Sequence, residues 1–274
     1  MIKLEHPEIK AAVVMKNGKI SAQTESADTL FPQYSITKSL LSLCIGILID
    51  EGRISLESTV VDYLDLPKDA PLAAVTLEEL MTMRSGLTQE LLFADRKTCP
   101  DYLAACLACE KGKGRFHYNN ADAYLAGRMA EAACGMRLSD FIEQRIFTPL
   151  GIRQFDFEYD PQGHFFGASG LMLSTLDLAK LGNSVLSGEL YPKEFIHEAT
   201  RPHTISDKGK GYGLFFWIHP DYFYMSGKWG QKCVMLPKSQ RVICVNAEDP
   251  ENRIVSGFIR NELMRIDGED AHDI

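Results

Sequence analysis

The sequence has no apolar run long enough to cross a membrane. Its longest run, Leu40–Ile49, is interrupted only by Ser42 and Gly46. That falls far short of the roughly 20 residues that a transmembrane helix needs. Because Lys38 and Asp50 bracket the run, it is typical of a buried core helix, and we expect no membrane partner.

The chain also lacks an excess of positive charge. It has 29 lysines and arginines against 37 aspartates and glutamates, which gives a formal net charge of −8. A protein that binds nucleic acid needs a concentrated basic face to neutralise phosphates. We therefore expect a small-molecule substrate and no nucleic-acid partner.

The N-terminus lacks the continuous apolar stretch of a secretory signal. Glu5, His6, Pro7 and Glu8 stand where such a stretch would have to run. We therefore expect a cytoplasmic protein.

The cysteines lack the arrangement of a disulfide framework or a metal site. There are seven, an odd number, and no export signal accompanies them, which favours reduced thiols. Cys106 and Cys109 form a Cys-x-x-Cys pair, with no second pair and no histidine at ligand spacing. We interpret them as core thiols and expect no metal and no cofactor.

Strand-like patterns occur near both ends of the chain. The Asn17-Gly18 pair between two short apolar runs predicts a hairpin over Ile9–Ile20. A final amphipathic pattern, Asn252–Arg265, predicts a helix packed on a sheet. Between about residue 205 and that helix, β-rich runs predict four antiparallel strands: Tyr212–Ile218, Tyr222–Ser226, Lys232–Leu236 and Arg241–Ala247.

Helical periods dominate the middle of the chain. The long apolar run predicts a buried helix over Ile36–Glu51, closed by Gly52. Further helices are predicted over Thr76–Met83, Asp101–Glu110, Ala121–Cys134, Leu138–Phe147 and Ser174–Leu186.

These patterns predict an α/β (α+β) fold, an antiparallel sheet flanked by helices with an inserted mainly helical domain. Residues 1–57 and 200–274 would form the sheet domain and residues 58–199 the helical domain. We expect the active site in the cleft between the two domains.

A hydroxyl and an amine lie three residues apart at the start of the buried helix, on Ser35 and Lys38. Side chains at i and i+3 of a helix are neighbours, so the amine can reach the hydroxyl. A lysine of ordinary pKa is a cation at pH 7 and cannot accept the serine proton, so burial or another cation must first lower its pKa. The apolar helix supplies the burial. The alternative is a helix-capping serine beside a solvated lysine.

Tyr118 and Asn120 form a Tyr-x-Asn motif in a loop that follows Gly112 and Gly114. A phenol can transfer a proton, and an amide can bind a substrate amide. The alternative is that Asn120 caps the next helix.

Lys228, Trp229 and Gly230 form a third motif, just before an apolar strand. The glycine allows a substrate backbone to approach closely. The lysine offers a second cation and an anchor for a carboxylate.

In this order and these contexts, the three motifs resemble those of the serine β-lactamase and penicillin-binding protein superfamily. The tyrosine in the second motif is similar to the branch of class C β-lactamases, D-alanyl-D-alanine carboxypeptidases and esterases. The similarity covers most of the chain and includes FPQYSITKSLLSLCIGILIDEG, TLEELMTMRSGL, FHYNNADAYLAGRMAEAACG and SGKWGQKCVMLPKSQRVICVNA. It implies a β-lactamase/transpeptidase-like fold.

The resemblance also implies roles for these residues. Ser35 would be the acylated nucleophile and Lys38 its proton acceptor. Tyr118 would relay protons, Asn120 would bind the substrate amide, and Lys228 would tune the site electrostatically.

The resemblance further implies an oxyanion hole made by the backbone N–H groups of Ser35 and Gln231, the residue that follows Gly230. Trp229 departs from the family pattern, which usually has a small residue there. An indole beside the acyl site would narrow it or stack on a substrate ring. The substrate class therefore does not follow from the mechanism.

We expect a serine hydrolase that acts through an acyl-enzyme on a small ester, amide or lactam. A cytoplasmic enzyme meets no peptidoglycan, which favours a small ester or amide. The alternatives left open are a non-catalytic penicillin-binding-like ligand sensor and a true β-lactamase or D-amino-acid peptidase.

Two other motif readings are disfavoured. The chain has no Gly-x-Ser-x-Gly, the nucleophile turn of another hydrolase fold. Gly209, Gly211 and Gly213 alternate before a strand rather than opening a helix, which favours a loop over a nucleotide site.

Overall fold

The computed structural model describes residues 1–87, 96–109 and 111–270. The strands are β1 (Ile9–Lys16), β2 (Lys19–Gln23), β3 (Leu30–Pro32), β4 (Met172–Ser174), β5 (Thr204–Ile205), β6 (Gly211–Tyr212), β7 (Trp217–Ile218), β8 (Phe223–Ser226), β9 (Lys232–Leu236) and β10 (Arg241–Ala247). Eight of them form one antiparallel sheet in the order β2-β1-β10-β9-β8-β7-β6-β5, and β3 pairs with β4.

The N-terminal hairpin forms where the sequence predicts it. Asn17 and Gly18 link β1 to β2 with φ angles of 50° and 74°. A two-residue hairpin turn needs these left-handed values, which Asn and Gly adopt most easily. β1 then pairs with β10, with Val13 opposite Cys244. The N-terminal hairpin thus completes a sheet whose other strands come from the C-terminal part of the chain.

The helices are α1 (Ile36–Asp50), α2 (Val60–Tyr63), α3 (Leu77–Met81), α4 (Tyr102–Leu107), α5 (Asn120–Cys134), α6 (Leu138–Ile142), α7 (Thr175–Ser187), α8 (Lys193–Ala199) and α9 (Arg253–Asp270). Their ends follow local signals in the sequence. Thr76 and Glu79 form a capping box at α3. Gly135 and Gly188 adopt left-handed conformations that end α5 and α7.

Helix α1 runs through the core. Every residue from Ile36 to Leu48 is buried, which confirms the prediction of a buried helix. A Cβ at Gly46 would overlap the ring of Phe195, so the glycine lets α8 pack directly on α1. In the described part of the chain, no helix is both long and apolar enough to cross a membrane.

The sheet carries helices on both faces. Helix α7 packs on β1, β9 and β10, and α9 packs on β10 from the other side. Successive side chains of β9 point to opposite faces of the sheet and so belong to different hydrophobic clusters. Cys233 and Met235 belong to the main core with α1 and α7, whereas Val234 and Leu236 belong to a smaller cluster with residues of α9 such as Val255.

The segment 58–199, predicted as an inserted helical domain, contains α2 to α8. Helix α5 packs against α1, α2 and α3, but α7 packs on the sheet. One continuous hydrophobic cluster joins these helices to the inner face of the sheet. The division into two domains stays a prediction.

Some predicted elements differ from the observed ones. The strand predicted over Tyr212–Ile218 is two strands, β6 and β7, because Phe215 has a φ of 62° and donates its N–H to the Met81 carbonyl. Of the helix predicted over Leu138–Phe147, only Leu138–Ile142 is α-helical, and Glu143–Phe147 forms a π-helical turn. The helix predicted over Asp101–Glu110 is α4, and Glu110 lies outside the described residues.

The short helices α2 and α8 and the pair of β3 with β4 were not predicted, because such short elements give no clear period. The prediction that the Cys-x-x-Cys pair consists of core thiols is confirmed. Cys106 and Cys109 are buried in the main core as reduced thiols, as predicted. Among the described residues, no group of three or more His, Cys, Asp or Glu side chains is arranged to hold a metal ion.

Candidate active site

Ser35 immediately precedes α1, at a sharp turn of the backbone. Tyr34 has a φ of 48°, and the Thr37 hydroxyl donates to the Tyr34 carbonyl at 2.6 Å. A tyrosine in the left-handed region is uncommon and needs such support. The Ser35 side chain makes no capping hydrogen bond to the helix. The alternative of a capping serine is therefore wrong, and the hydroxyl is available for other contacts.

Lys38 lies one helical turn further on, and its amine points back to Ser35. Nζ lies 3.1 Å from Ser35 Oγ, and it also donates to the Asn120 side-chain oxygen and the Ala168 carbonyl, each at 2.7 Å. All three partners are neutral, and the side chain is only 1% exposed.

The surroundings of Lys38 lower the pKa of its amine. Burial, and then the positive charge of Arg96, lower the pKa of Lys38 to about 7, against the weaker opposite effect of Asp122. Desolvation disfavours the charged form of an amine, and a like charge adds to that effect. A substantial share of the amines is therefore neutral at pH 7. The alternative of a solvated lysine is wrong.

Tyr118 lies against the same two side chains. Its hydroxyl is hydrogen bonded to Ser35, and its ring centroid lies 5.0 Å from Lys38 Nζ. Burial raises the pKa of Tyr118 to about 12, so the phenol keeps its proton at neutral pH. The ring stacks on Trp217, with centroids 5.8 Å apart. This aromatic contact fixes the direction in which the hydroxyl points.

Asn119 and Asn120, at the start of α5, direct their side chains to different partners. Asn119 caps the helix, because its side-chain oxygen accepts the Asp122 N–H at 2.7 Å. Asn120 instead turns its side chain to Lys38. The alternative that Asn120 caps the helix is therefore wrong.

Asp122, in the first turn of α5, links this region to Ser85. Its carboxylate accepts a hydrogen bond from the Ser85 hydroxyl at 2.5 Å, and burial raises its pKa to about 7. Neither residue was singled out from the sequence, because a single Asp or Ser in a helical pattern carries no distinguishing signal.

Gln231 follows a tight turn in which Gly230 has a φ of 92°. The Gln231 carbonyl accepts the Gly227 N–H at 2.9 Å. Within the described part of the chain, neither the Ser35 N–H nor the Gln231 N–H donates to a protein acceptor. Both are therefore open to an external oxygen, which is compatible with the oxyanion hole predicted for them.

A buried network of amides supports this turn. Asn246 Nδ2 donates to the side-chain oxygens of Gln33 and Gln231, at 3.0 and 2.9 Å. Gln231 Nε2 donates to the Ala247 carbonyl at 2.7 Å, and Thr175 donates to Asn246 at 2.7 Å. The network links the segment before Ser35 to the segment of Gln231. Sequence reasoning missed Gln33 and Asn246.

Lys228 and Trp229 lie at the rim of this arrangement. The Lys228 amine lies 4.7 Å from the centroid of the Trp229 indole, and both side chains are exposed. The indole meets the Tyr34 ring edge-on at 5.4 Å. The cation that lowers the pKa of Lys38 is Arg96, which the sequence did not single out. The predicted tuning role of Lys228 stays a prediction.

The chain is similar to known proteins in sequence and in structure. The family model described as Beta-lactamase matches residues 8–255. The chain is similar in structure to an octameric penicillin-binding protein homologue from Pyrococcus abyssi, with a TM-score of 0.79 and 21% identity over 92% of this chain and 73% of that one. It is also similar to a D-stereospecific amidohydrolase from Streptomyces sp., with a TM-score of 0.71 and 18% identity over 90% and 92% of the two chains.

Among curated sequences, the chain is 23% identical to a 6-aminohexanoate-dimer hydrolase of Paenarthrobacter ureafaciens over 215 residues, which cover 69% of this chain and 55% of that protein. The chain spans from 32% to 66% of the length of five curated relatives that it matches.

Proposed function

The chain belongs to the beta-lactamase family, and on that basis we propose that it is a serine hydrolase that cleaves a small ester, amide or lactam through an acyl-enzyme. The observation that carries the proposal is the position of the Lys38 amine, buried among neutral partners 3.1 Å from the Ser35 hydroxyl. A general base must be within hydrogen-bond reach of its proton and must have a pKa near the working pH. Lys38 meets both conditions.

In the acylation step, neutral Lys38 accepts the proton of the Ser35 hydroxyl as Oγ attacks the substrate carbonyl carbon. The carbonyl electron pair moves to its oxygen, and the N–H groups of Ser35 and Gln231 donate to that oxygen. Preorganised donors of this kind contribute strongly to catalysis in a site from which water is excluded.

When the tetrahedral intermediate collapses, the bond to the leaving group breaks. Tyr118 donates its phenolic proton to the leaving oxygen or nitrogen and takes a proton from the Lys38 ammonium, which returns the amine to its neutral form. In deacylation the same groups act in reverse on a water molecule, which releases the acid and restores the Ser35 hydroxyl. The high pKa of Tyr118 suits a proton relay rather than a standing phenolate.

The substrate is proposed to be a small ester or amide rather than a bulky lactam. The Trp229 indole lies beside Tyr34, the residue before the nucleophile, and projects from the turn that ends at Gln231. Two similar proteins are named as hydrolases, a 6-aminohexanoate-dimer hydrolase and a D-stereospecific amidohydrolase. Both names support hydrolysis of a carboxylic acid derivative.

Covalent labelling tests the proposal directly. Wild-type protein is incubated with a fluorophosphonate, a fluorescent penicillin and activated p-nitrophenyl esters, and adducts are read by intact mass. We expect one adduct per chain with at least one reagent, located on Ser35 by peptide mapping. If all three reagents leave the folded protein unlabelled, it is a non-catalytic ligand sensor and the proposal fails.

A substrate panel then separates the remaining alternatives. Turnover of p-nitrophenyl esters or small amides, with little turnover of nitrocefin or of peptides ending in D-amino acids, is the expected result. Preferential turnover of nitrocefin would identify a β-lactamase instead, and preferential turnover of the peptides a D-amino-acid peptidase.

A further inference from the structure

A second cleft lies away from Ser35, between the sheet and the start of α9. It has a volume of about 810 Å³. Tyr224, Lys232 and Val234 form its floor on β8 and β9, and Val234 belongs to the cluster that packs under α9. Its lining contains none of the residues assigned to the Ser35 site. Its size is that of a small-molecule site.

Five cations converge on this cleft, and we call them the cleft cations: Lys208, Lys210, Lys232, Arg253 and Arg260. Within the described part of the chain, only one of them has an ion-pair partner, since Arg253 contacts Glu251 at 2.9 Å. Such a concentration of positive charge is unexpected in a chain whose formal net charge is −8.

Lys232 lies deepest among the cleft cations. Its amine donates to the Ser226 hydroxyl and lies 5.7 Å from the centroid of the Tyr224 ring, so its close contacts are neutral. Burial and the charge of Lys210 lower the pKa of Lys232 to about 8, against a weaker effect of Asp249. A buried amine near another amine is unfavourable unless an anion compensates them.

The loop that carries Lys208 and Lys210 is fixed by its own hydrogen bonds. The Gly209 N–H donates to the Ser206 carbonyl at 2.8 Å, and the Lys210 N–H donates to the Ser206 hydroxyl at 3.1 Å. This loop joins the paired strands β5 and β6. The sequence predicts a loop here, and the loop contributes its two lysines to the cleft. Both lysines line the cleft, and the charge of Lys210 acts on Lys232.

We propose that this cleft binds a phosphorylated small molecule that has an aromatic body. A carboxylate has one charge, whereas a phosphate has close to two and three acceptor oxygens, which suit several amines at once. The rings of Tyr222 and Tyr224 and the side chains of Ile259 and Leu263 offer an apolar and aromatic wall for the rest of the molecule.

Calorimetric titration of the full chain at low salt tests the proposal, with ADP, pyrophosphate and adenosine as probes. We expect ADP to bind one per chain and more tightly than pyrophosphate, because only ADP reaches both the amines and the rings. Adenosine should bind at least tenfold more weakly than ADP. Ser35→Ala should bind ADP like the wild type, so the result does not depend on the proposed hydrolase activity.

Charge-matched variants locate the site. Lys210→Gln should weaken ADP binding about tenfold, equivalent to ~1.4 kcal/mol, and Lys232→Gln by at least as much. Lys19→Gln removes the same charge from β2 at the far edge of the sheet and should leave the affinity unchanged. The proposal is overturned if wild type shows no saturable ADP binding, or if Lys19→Gln and Lys210→Gln weaken that binding equally.

Discussion

The Lys38 amine lies 3.1 Å from the Ser35 hydroxyl oxygen, and its other hydrogen-bond partners among the described residues, Asn120 and Ala168, are neutral. A carboxylate in the same place would hold the lysine in its charged form. Neutral acceptors stabilise the charged amine less than a carboxylate would, so burial, the largest effect, lowers the pKa of Lys38. The apolar sequence that buries helix α1 therefore also lowers the pKa of Lys38, as the catalytic chemistry proposed for its first turn requires.

The pKa of Lys38 predicts how activity depends on pH. Because the base must be unprotonated, kcat/KM should rise with pH, about tenfold per pH unit below 7, and level off above it. The pKa of Tyr118, about 12, predicts no loss of the phenol below about pH 10. Steady-state rates of ester hydrolysis from pH 5 to pH 10 would measure this profile. A flat profile would exclude Lys38 as the base.

Arg96 should set the position of that rise. Arg96→Gln removes a cation that lowers the pKa of Lys38, so the midpoint of the profile should move to higher pH. Arg84→Gln is a matched control, because Arg84 pairs with Glu78 and does not act on Lys38. An Arg96→Gln profile that coincides with the Arg84→Gln profile would contradict the electrostatic role.

Ser35→Ala should abolish covalent labelling and leave the thermal midpoint close to that of wild type. The Ser35 hydroxyl caps no helix, so its loss leaves no orphaned backbone donor. Ser39→Ala gives the contrast, since that hydroxyl donates to the buried Phe215 carbonyl at 2.7 Å. It should lower stability by about 1 kcal/mol and keep labelling. A Ser35→Ala protein that fails to fold would indicate a structural role.

Tyr118→Phe should slow turnover by a factor of about 10² to 10⁴, the usual contribution of general acid–base catalysis. The ring and its stacking on Trp217 are kept, so substrate binding should change little. Tyr212→Phe removes a hydroxyl from the neighbouring ring, 6.1 Å away, and should leave kcat near that of wild type. Equal kcat/KM for Tyr118→Phe and wild type would remove Tyr118 from the mechanism.

The amide network predicts a separate effect on kcat. Asn246→Ala leaves the amides of Gln33 and Gln231 without their shared partner and should loosen the turn that presents the Gln231 N–H. We expect kcat to fall more than KM rises, because the oxyanion is bound only in the transition state. Gln240→Ala, which removes an exposed amide bonded to Pro237, is the control. A change in KM alone would contradict a role in the oxyanion hole.

The sequence predicts those parts of the site that are local in the chain. Ser35 and Lys38 share one turn of one helix, and Asn17-Gly18 forms its hairpin turn without help from elsewhere. The amide network joins Gln33 to Asn246, 213 positions apart, so no local pattern reveals it. Arg96 likewise acts on Lys38 through space.

The conformation of Trp229 could not be predicted from the sequence either. The sequence shows that Trp229 departs from the small residue usual in the family, but it does not show the backbone conformation of this residue. The residue has a φ of 62°, in the left-handed region that disfavours side chains and suits glycine. Its ring lies against Tyr34 and the Lys228 amine. The chain therefore retains a bulky side chain at a strained position on the rim of the site, which is compatible with a role in selecting the substrate.

Trp229→Gly should admit bulkier acyl groups without loss of stability, because glycine relieves the left-handed strain while removing the indole. Comparing kcat/KM for p-nitrophenyl acetate, butyrate and octanoate would show the profile shifting toward the longer esters. Lys228→Gln separates the indole from its cation: it removes the charge beside the ring, keeps the ring, and should leave the size preference unchanged. If the Trp229→Gly profile matches that of wild type, the indole points away from the acyl group, and the restriction to small substrates must come from another wall of the site.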